Sequence, residues 1–409
     1  MQTPTAGTSS GTTNLPSTPP RTALGQILLP ETTSGSATAN GLLSVQHDGE
    51  NPHHIGSGGT LNAFPSWSPD GEHIAFTRYL TPIDGAEPPH AVIVAMDADG
   101  AHERILTADD GLAINPVWSP DGRHVAFERV KDPSQPEDMW QITVSVMAAD
   151  GSDLHDVGGG TTIVTTPSWS PDGTQIVFGA SEHAADSSSA TANITIVGID
   201  GTDRHTIIGP DVLGDDMVLS VDWSPDGSMI AFVRFAEPPS GSEPPADPSD
   251  PVITLWVAAA DGTNPRSLSA DAFIAAFFPA WSPDGSQLTF VGWEDPANTG
   301  IYVIARDGSG LRQIASGLHG DMEEREESIE GSIVMAPSWS PDGTWVAFLA
   351  AELHHDNHDI STASAELRLV AADGSAQHAI LDHLDVEVVM DPFDSMGSPA
   401  PVWQPGGHE

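Results

Sequence analysis

The sequence predicts an all-β fold, a seven-bladed β-propeller with four antiparallel strands per blade, on three observations. A thirteen-residue motif recurs: "FPSWSPDGEHIAF" from Phe64, then "NPVWSPDGRHVAF", "TPSWSPDGTQIVF", "SVDWSPDGSMIAF", "FPAWSPDGSQLTF" and "APSWSPDGTWVAF". Each motif is followed by more apolar stretches and a second "DG" turn. The chain ends on a broken copy, "APVWQPGG", and begins with strand-like stretches that have no motif of their own. Repetition overrides chain length as a guide to domain number, because stacked repeats bury one continuous core.

The elements follow in order. Residues 1–21 begin "MQTPTAGTSSGTTNLPSTPP", rich in Ser, Thr, Pro and Gly, and read as a disordered tether. The charged start and apolar stretch of a signal peptide are missing there, which suggests a targeting segment already removed. "GTSSG" in this tether formally fits a nucleophile elbow, but neither strand nor helix flanks it. The propeller is expected over 22–409. In its first full unit "AFPSW" is a short strand and "SPDG" a tight turn. Pro fixes φ at the second turn position, Asp suits the third, and Gly takes positive φ at the fourth. "HIAFTRY", "HAVIVAMD" and "HERILT" supply the other three strands. One such sheet cannot bury both faces, and radial stacking solves this. The motif tryptophans Trp67, Trp118, Trp169, Trp223, Trp281, Trp339 and Trp403 are the expected wedges between neighbours, at spacings of 51, 51, 54, 58, 58 and 64 residues. "ALGQILLPE", "GLLSVQHDG" and "NPHHIG" match the second, third and fourth strands of a unit. The last blade should therefore combine these N-terminal strands with one C-terminal strand.

The motif "WSPDG-x-x-[IV]-AF" with its downstream "DADG" or "AADG" resembles the TolB-type propeller repeat over roughly residues 22–408. It also resembles the propellers of the tricorn protease and of prolyl-oligopeptidase-like peptidases. The resemblance implies a non-catalytic, extracytoplasmic binding or scaffolding module: periplasmic, secreted, or lipid-anchored through the tether. The alternatives are a lactonase- or lyase-like propeller enzyme with a metal at the channel mouth, and a subunit of a surface assembly.

Charge narrows the partners. There are 58 acidic and 13 basic residues, a formal net charge of −45, and Lys131 is the single lysine. Nucleic acid needs clustered cations, and an anionic membrane would repel this chain. The acidity fits either a monodisperse extracytoplasmic protein or one from a salty environment. No apolar run is long enough to span a bilayer, and there is no cysteine for disulfide, thiolate or nucleophile chemistry.

Within each unit the long insertions fall between the second and third strands and before the first strand. These loops share one face, and variable loops on a rigid scaffold are where binding usually sits. We expect a protein or peptide partner there, bound by a monomer around the channel mouth at Phe64, Asn115, Thr166, Val221, Phe278 and Ala336. The plain alternative for Phe277 and Phe278 is packing between blades. "DMEEREESIEG" at 321–331, with Asp321, Glu323 and Glu324, is a candidate docking strip for a basic partner or simply a solvated face. The entrances of the first strands offer no convergent catalytic set, which favours binding over catalysis. No cofactor is expected, with a structural Ca²⁺ as the candidate exception at "GPDVLGDDM" or "DPFDSMG". Weak metal candidates are His354, His355 and His358 in "ELHHDNHD", read as a loop, and Asp391 and Asp394. The aspartates of the SPDG and DG turns read as turn formers.

Overall fold

The structure is a computed structural model, and it describes residues 25–30, 41–57, 61–80, 89–135, 140–161, 163–183, 190–214, 216–236, 253–269, 272–295, 298–317, 330–356, 359–384 and 401–405. It is an all-β, propeller-like fold of antiparallel sheets, and among the described residues its one helix is the short segment Pro210–Leu213. No helix among these residues is long and apolar enough to cross a membrane.

The described strands form sheets of four, eight, five, eight and four strands. Each eight-stranded sheet is two antiparallel four-strand groups joined by one parallel bridge, Ala91↔Leu112 in the first and Ile253↔Ala275 in the second. In the five-stranded sheet the first strand is split into Ile163–Val164 and Ser168–Trp169, both paired with Gln175–His183. The C-terminal strand Val402–Trp403 pairs with Gln26–Pro30, in the register Ile27↔Trp403 and Leu28↔Val402. Leu42–Gln46 and His53–Ile55 complete that sheet.

Local chemistry explains why the motif folds so regularly. In the first SPDG turn the Gly71 amide donates to the Ser68 carbonyl at 2.8 Å, with Gly71 at φ 69°. Ser68 Oγ donates to Asp70 Oδ1 at 2.5 Å, and Asp70 Oδ1 also accepts the Glu72 amide at 3.0 Å. The His73 amide donates back to Ser68 Oγ at 2.9 Å. The last full motif repeats this set through Ser340, Asp342, Thr344 and Trp345. These carboxylates are thus turned into their own turns, as turn formers are. Hydrogen bonds from Ser170 and Thr174, for example, hold Asp172 below the ordinary carboxylate range.

Two aromatic layers fill the gaps between groups. The Phe of each full motif (Phe76, Phe127, Phe178, Phe232, Phe290, Phe348) is fully buried, and all seven motif tryptophans are buried. The indoles also reach across the seams. Trp169 Nε1 donates to the Val117 carbonyl at 3.0 Å, Trp339 to Ala280 at 3.1 Å, and Trp403 to Ser338 at 3.1 Å. Trp67 Nε1 donates to the Val402 carbonyl at 3.3 Å. Trp223 bonds its own Gly227 carbonyl instead, and Trp118 Nε1 is buried with no partner. The sheet made from both ends packs on two neighbours. Ile27, Leu29 and Trp403 join the core of Trp345 and Leu367, while Leu28, Leu42 and Ile55 join that of Trp67 and Phe76. Arg78 ties the second seam, donating to Asn62 Oδ1 and the Ser57 carbonyl and pairing with Glu103. Burial opposes ionisation of Glu103, but hydrogen bonds from Arg78 and Ser57 prevail and hold it down at about 2.

One expectation needs correction. "ELHHDNHD" is not a loop: the backbone through His354 and His355 belongs to strand Trp345–Asp356, paired with Asp359–Ala371 at His354↔Ser361 and His355↔Ile360. Ladder hydrogen bonds use the backbone alone, so a polar sequence can extend a hairpin that its composition hides. The calcium candidate "GPDVLGDDM" is described at 209–214 and 216–217. It contains the helix Pro210–Leu213, and Asp216 is committed to an ion pair with Arg234. His358, Asp391, Asp394, Asp321, Glu323, Glu324 and the tether lie outside the described residues.

Candidate functional site

Where the first strands converge they enclose a cavity of about 430 Å³. Six of the four-strand groups contribute to it, through Val117, 166–168, 219–222, 277–280, 336–338 and 401–402. Much of the wall is apolar: Leu219, Val221, Val233, Phe277, Phe278 and several prolines. A cavity of this size and lining is typical of small-ligand or side-chain pockets.

The strand geometry at this wall is unusual and recurrent. Phe64 (φ 52°), Asn115 (φ 56°), Phe278 (φ 51°) and Ala336 (φ 53°) all take positive φ, each just before a proline. All four sit at shifts of register against the second strand, between Ala63 and Ser66, Ile114 and Val117, Phe277 and Ala280, and Met335 and Ser338. Non-glycine residues rarely adopt positive φ, and bulges of this kind re-aim side chains. The Phe277 and Phe278 rings lie 6.1 Å apart, and Trp293 meets Phe277 edge-on at 5.6 Å.

Of the residues expected at the mouth, Thr166, Val221, Phe278 and Ala336 line the cavity. Phe64 has the same bulged backbone but does not line it. Val221 stands where the other motifs carry proline, and Ser220, one residue earlier, takes the place equivalent to Phe278. Asn115 serves a different purpose: its Nδ2 donates to Glu128 Oε1 at 2.8 Å, and Thr166 Oγ1 donates to the same oxygen at 3.1 Å.

Two carboxyl groups dominate the electrostatics, and neither was singled out in the sequence. Glu128 is buried, and burial pushes it up to about 7 against the hydrogen bonds from Asn115 and Thr166. Asp222 lines the cavity and is half-buried; desolvation pushes it up to about 6 against the hydrogen bond from Ser168. Ser168 Oγ donates to Asp222 Oδ1 at 2.7 Å. The segment 166–168 therefore hydrogen-bonds a carboxyl on each side of it. Both residues had a signal in the repeat. At the place of Glu128 the other full motifs carry Thr77, Gly179, Val233, Val291 and Leu349; at that of Asp222 they carry Ser66, Val117, Ser168, Ala280 and Ser338.

A buried carboxyl with a raised pKa weakens the fold as it ionises. For Glu128 the stability is fully present below its unfolded value near 4.5 and is lost as pH rises through about 7. Glu128→Gln keeps an acceptor for both donors and removes the charge. The variant should match the wild type at pH 4 and exceed it at pH 8 by up to about 3 kcal/mol. Urea unfolding at the two pH values checks this, and parallel behaviour would refute it.

Among the described residues, the one group of three His, Asp or Glu side chains able to share an ion is Asp70, Glu72 and His73, on the first SPDG turn, away from the cavity. Asp70 Oδ1 there is already occupied by its turn.

Residues 30–186 match the family model described as the TolB beta propeller domain. That stretch is similar to the TolB-type β-propeller repeat. The uncharacterized protein Atu1656 of Agrobacterium fabrum is 27% identical over 175 residues, 41% of this chain and 53% of that protein. The uncharacterized peptidase YuxL of Bacillus subtilis is 26% identical over 230 residues, 48% of this chain and 31% of that protein. The chain thus spans about half or less of these curated relatives. Among solved structures, an oligogalacturonate lyase in complex with manganese aligns with TM-score 0.57 at 17% identity, covering 94% of this chain and 92% of that one. The β-propeller domain of the Trilobed protease from Pyrococcus furiosus aligns with TM-score 0.54 at 13% identity, covering 89% and 100%. At these identities the likeness is one of fold. A fold does not fix a function, so the cavity's own residues must decide its use.

Proposed function

We propose that this TolB-type propeller is a closed ring of seven blades that acts as a non-catalytic, extracytoplasmic binding module, taking a protein or peptide segment into its central cavity from the long-loop face. The pairing of Val402–Trp403 with Gln26–Pro30 and the Trp67 bond to Val402 support closure. The observation that carries the binding reading is the cavity itself: aromatic and proline-walled, with Phe277 and Phe278 half-exposed inside it. Aromatic side chains at a concave centre are the usual anchors of binding energy. Three convergent His, Asp or Glu side chains would support catalysis, and no such set lines the cavity among the described residues.

The test is affinity capture from the native envelope with two variants. Phe278→Ala should lose the partner, while the paired turn changes Asp121→Asn and Asp284→Asn should keep it. Loss in the turn variant alone would place the site on the opposite face.

The acidity makes a separate prediction. Repulsion within a chain of formal net charge −45 acts over about 30 Å at 0.01 M salt and about 3 Å at 1 M. The melting temperature should therefore rise with NaCl. A flat or falling curve would remove the salty-environment reading and leave the fold untouched.

A further inference from the structure

Asp222 differs from the other half-buried and buried acidic groups of this propeller. Glu103 has Arg78, Asp216 has Arg234, and Glu128 has two neutral donors on one oxygen. Asp222 has the Ser168 hydroxyl, which itself accepts the Trp223 amide at 3.1 Å, and among the described residues no Arg, Lys or His reaches it. Its place in the repeat is filled elsewhere by Ser, Val or Ala, so the ring architecture does not require a carboxyl there. An acidic group in an apolar wall costs desolvation, and it is tolerated when a cation completes it.

The cavity around it has room for such a cation. It holds about 430 Å³, with Leu219, Val221 and Phe278 on its walls. A lysine or arginine matches this environment: an apolar stem lies along the aliphatic and aromatic wall while the head meets the carboxylate. The formal net charge of −45 draws such a segment in and disfavours an acidic one.

We propose that Asp222 is the anchoring carboxylate for a lysine or arginine side chain carried by an apolar peptide segment in the central cavity. This rests on the peptide-binding reading above and adds the chemical class of the ligand. The probes are two tripeptide amides, acetyl-Phe-Lys-Phe and the same peptide with norleucine for lysine, titrated calorimetrically into the full chain. The lysine peptide should bind at least tenfold more tightly than the norleucine peptide. That preference should fall below about twofold in Asp222→Asn, which keeps the acceptor for Ser168. It should persist in Asp211→Asn, which removes an equal charge from an exposed helix position. Thermal melting of each variant establishes that it is folded. Equal binding of the two peptides overturns the cation site and leaves the peptide cavity standing. A lysine preference that survives in Asp222→Asn overturns the assignment to this residue. Failure of both peptides to bind the wild type overturns the peptide-cavity reading, and this inference with it.

Discussion

Trp169→Ala should cost about 3–5 kcal/mol of stability, while Trp293→Ala should cost clearly less. Trp169 is 6% exposed and packs among Val144, Val157, Ile176 and Phe178. Its indole bonds the carbonyl of Val117 in the preceding four-strand group, so its removal opens a cavity and breaks a bond at a seam. Trp293 is only half-buried and meets Phe277 by its edge. Phenylalanine separates the two contributions. Trp169→Phe loses the bond and leaves the Val117 carbonyl short of a donor, which costs about 1–3 kcal/mol beyond the change in volume. Trp118→Phe has no such bond to lose, because Trp118 Nε1 is buried and unpaired. Denaturant unfolding of the four variants checks the order, and equal losses at Trp169 and Trp293 would show that the motif tryptophans are not special wedges.

Removal of residues 401–409 should destabilise more than any single tryptophan change, because it takes away Trp403 together with the strand that covers Gln26–Pro30. Ile27 and Leu28 are fully buried against that strand and its neighbours, and Trp67 would lose the Val402 carbonyl. The truncated chain should melt lower, and the amides of residues 26–30 should lose their protection from hydrogen exchange. An unchanged melting temperature with protected N-terminal strands would show that this sheet does not hold the two ends together.

Much of this fold was legible because its determinants are local. Ser68, Pro69, Asp70 and Gly71 make their turn with their own atoms, and the same four residue types do so six times. The wedge tryptophans stand at a constant place before those turns. The sheet made from both ends could be read from what was left over: strand-like stretches at the start, and a lone "APVWQP" at the end. The two carboxyls with raised pKa were less legible because a strong motif draws attention to what repeats. Glu128 and Asp222 are departures from the repeat, visible only when the motifs are compared place by place. His354 and His355 misled in the opposite way: their polar neighbours resemble a loop, while the backbone continues a ladder of 12 and 13 residues. The helix Pro210–Leu213 is too short for a periodic signal, although Pro at its first position is a common start.

The sheet built from both ends bears on how a ribosome delivers this protein. The Gln404 side chain accepts from the amide of Gln26, 378 residues away in sequence. Until residues 402–404 emerge, Leu28 and Ile27 lack their partners Val402 and Trp403, and an apolar sheet edge stays open. The entropy of joining ends grows only slowly with separation, and the sheets already folded bring the two ends together. The vulnerable interval is thus set by translation time rather than by the closing step. A nascent chain stalled short of Trp403 would present an unpaired strand edge to its neighbours, the kind of surface on which polypeptides aggregate and to which chaperones bind.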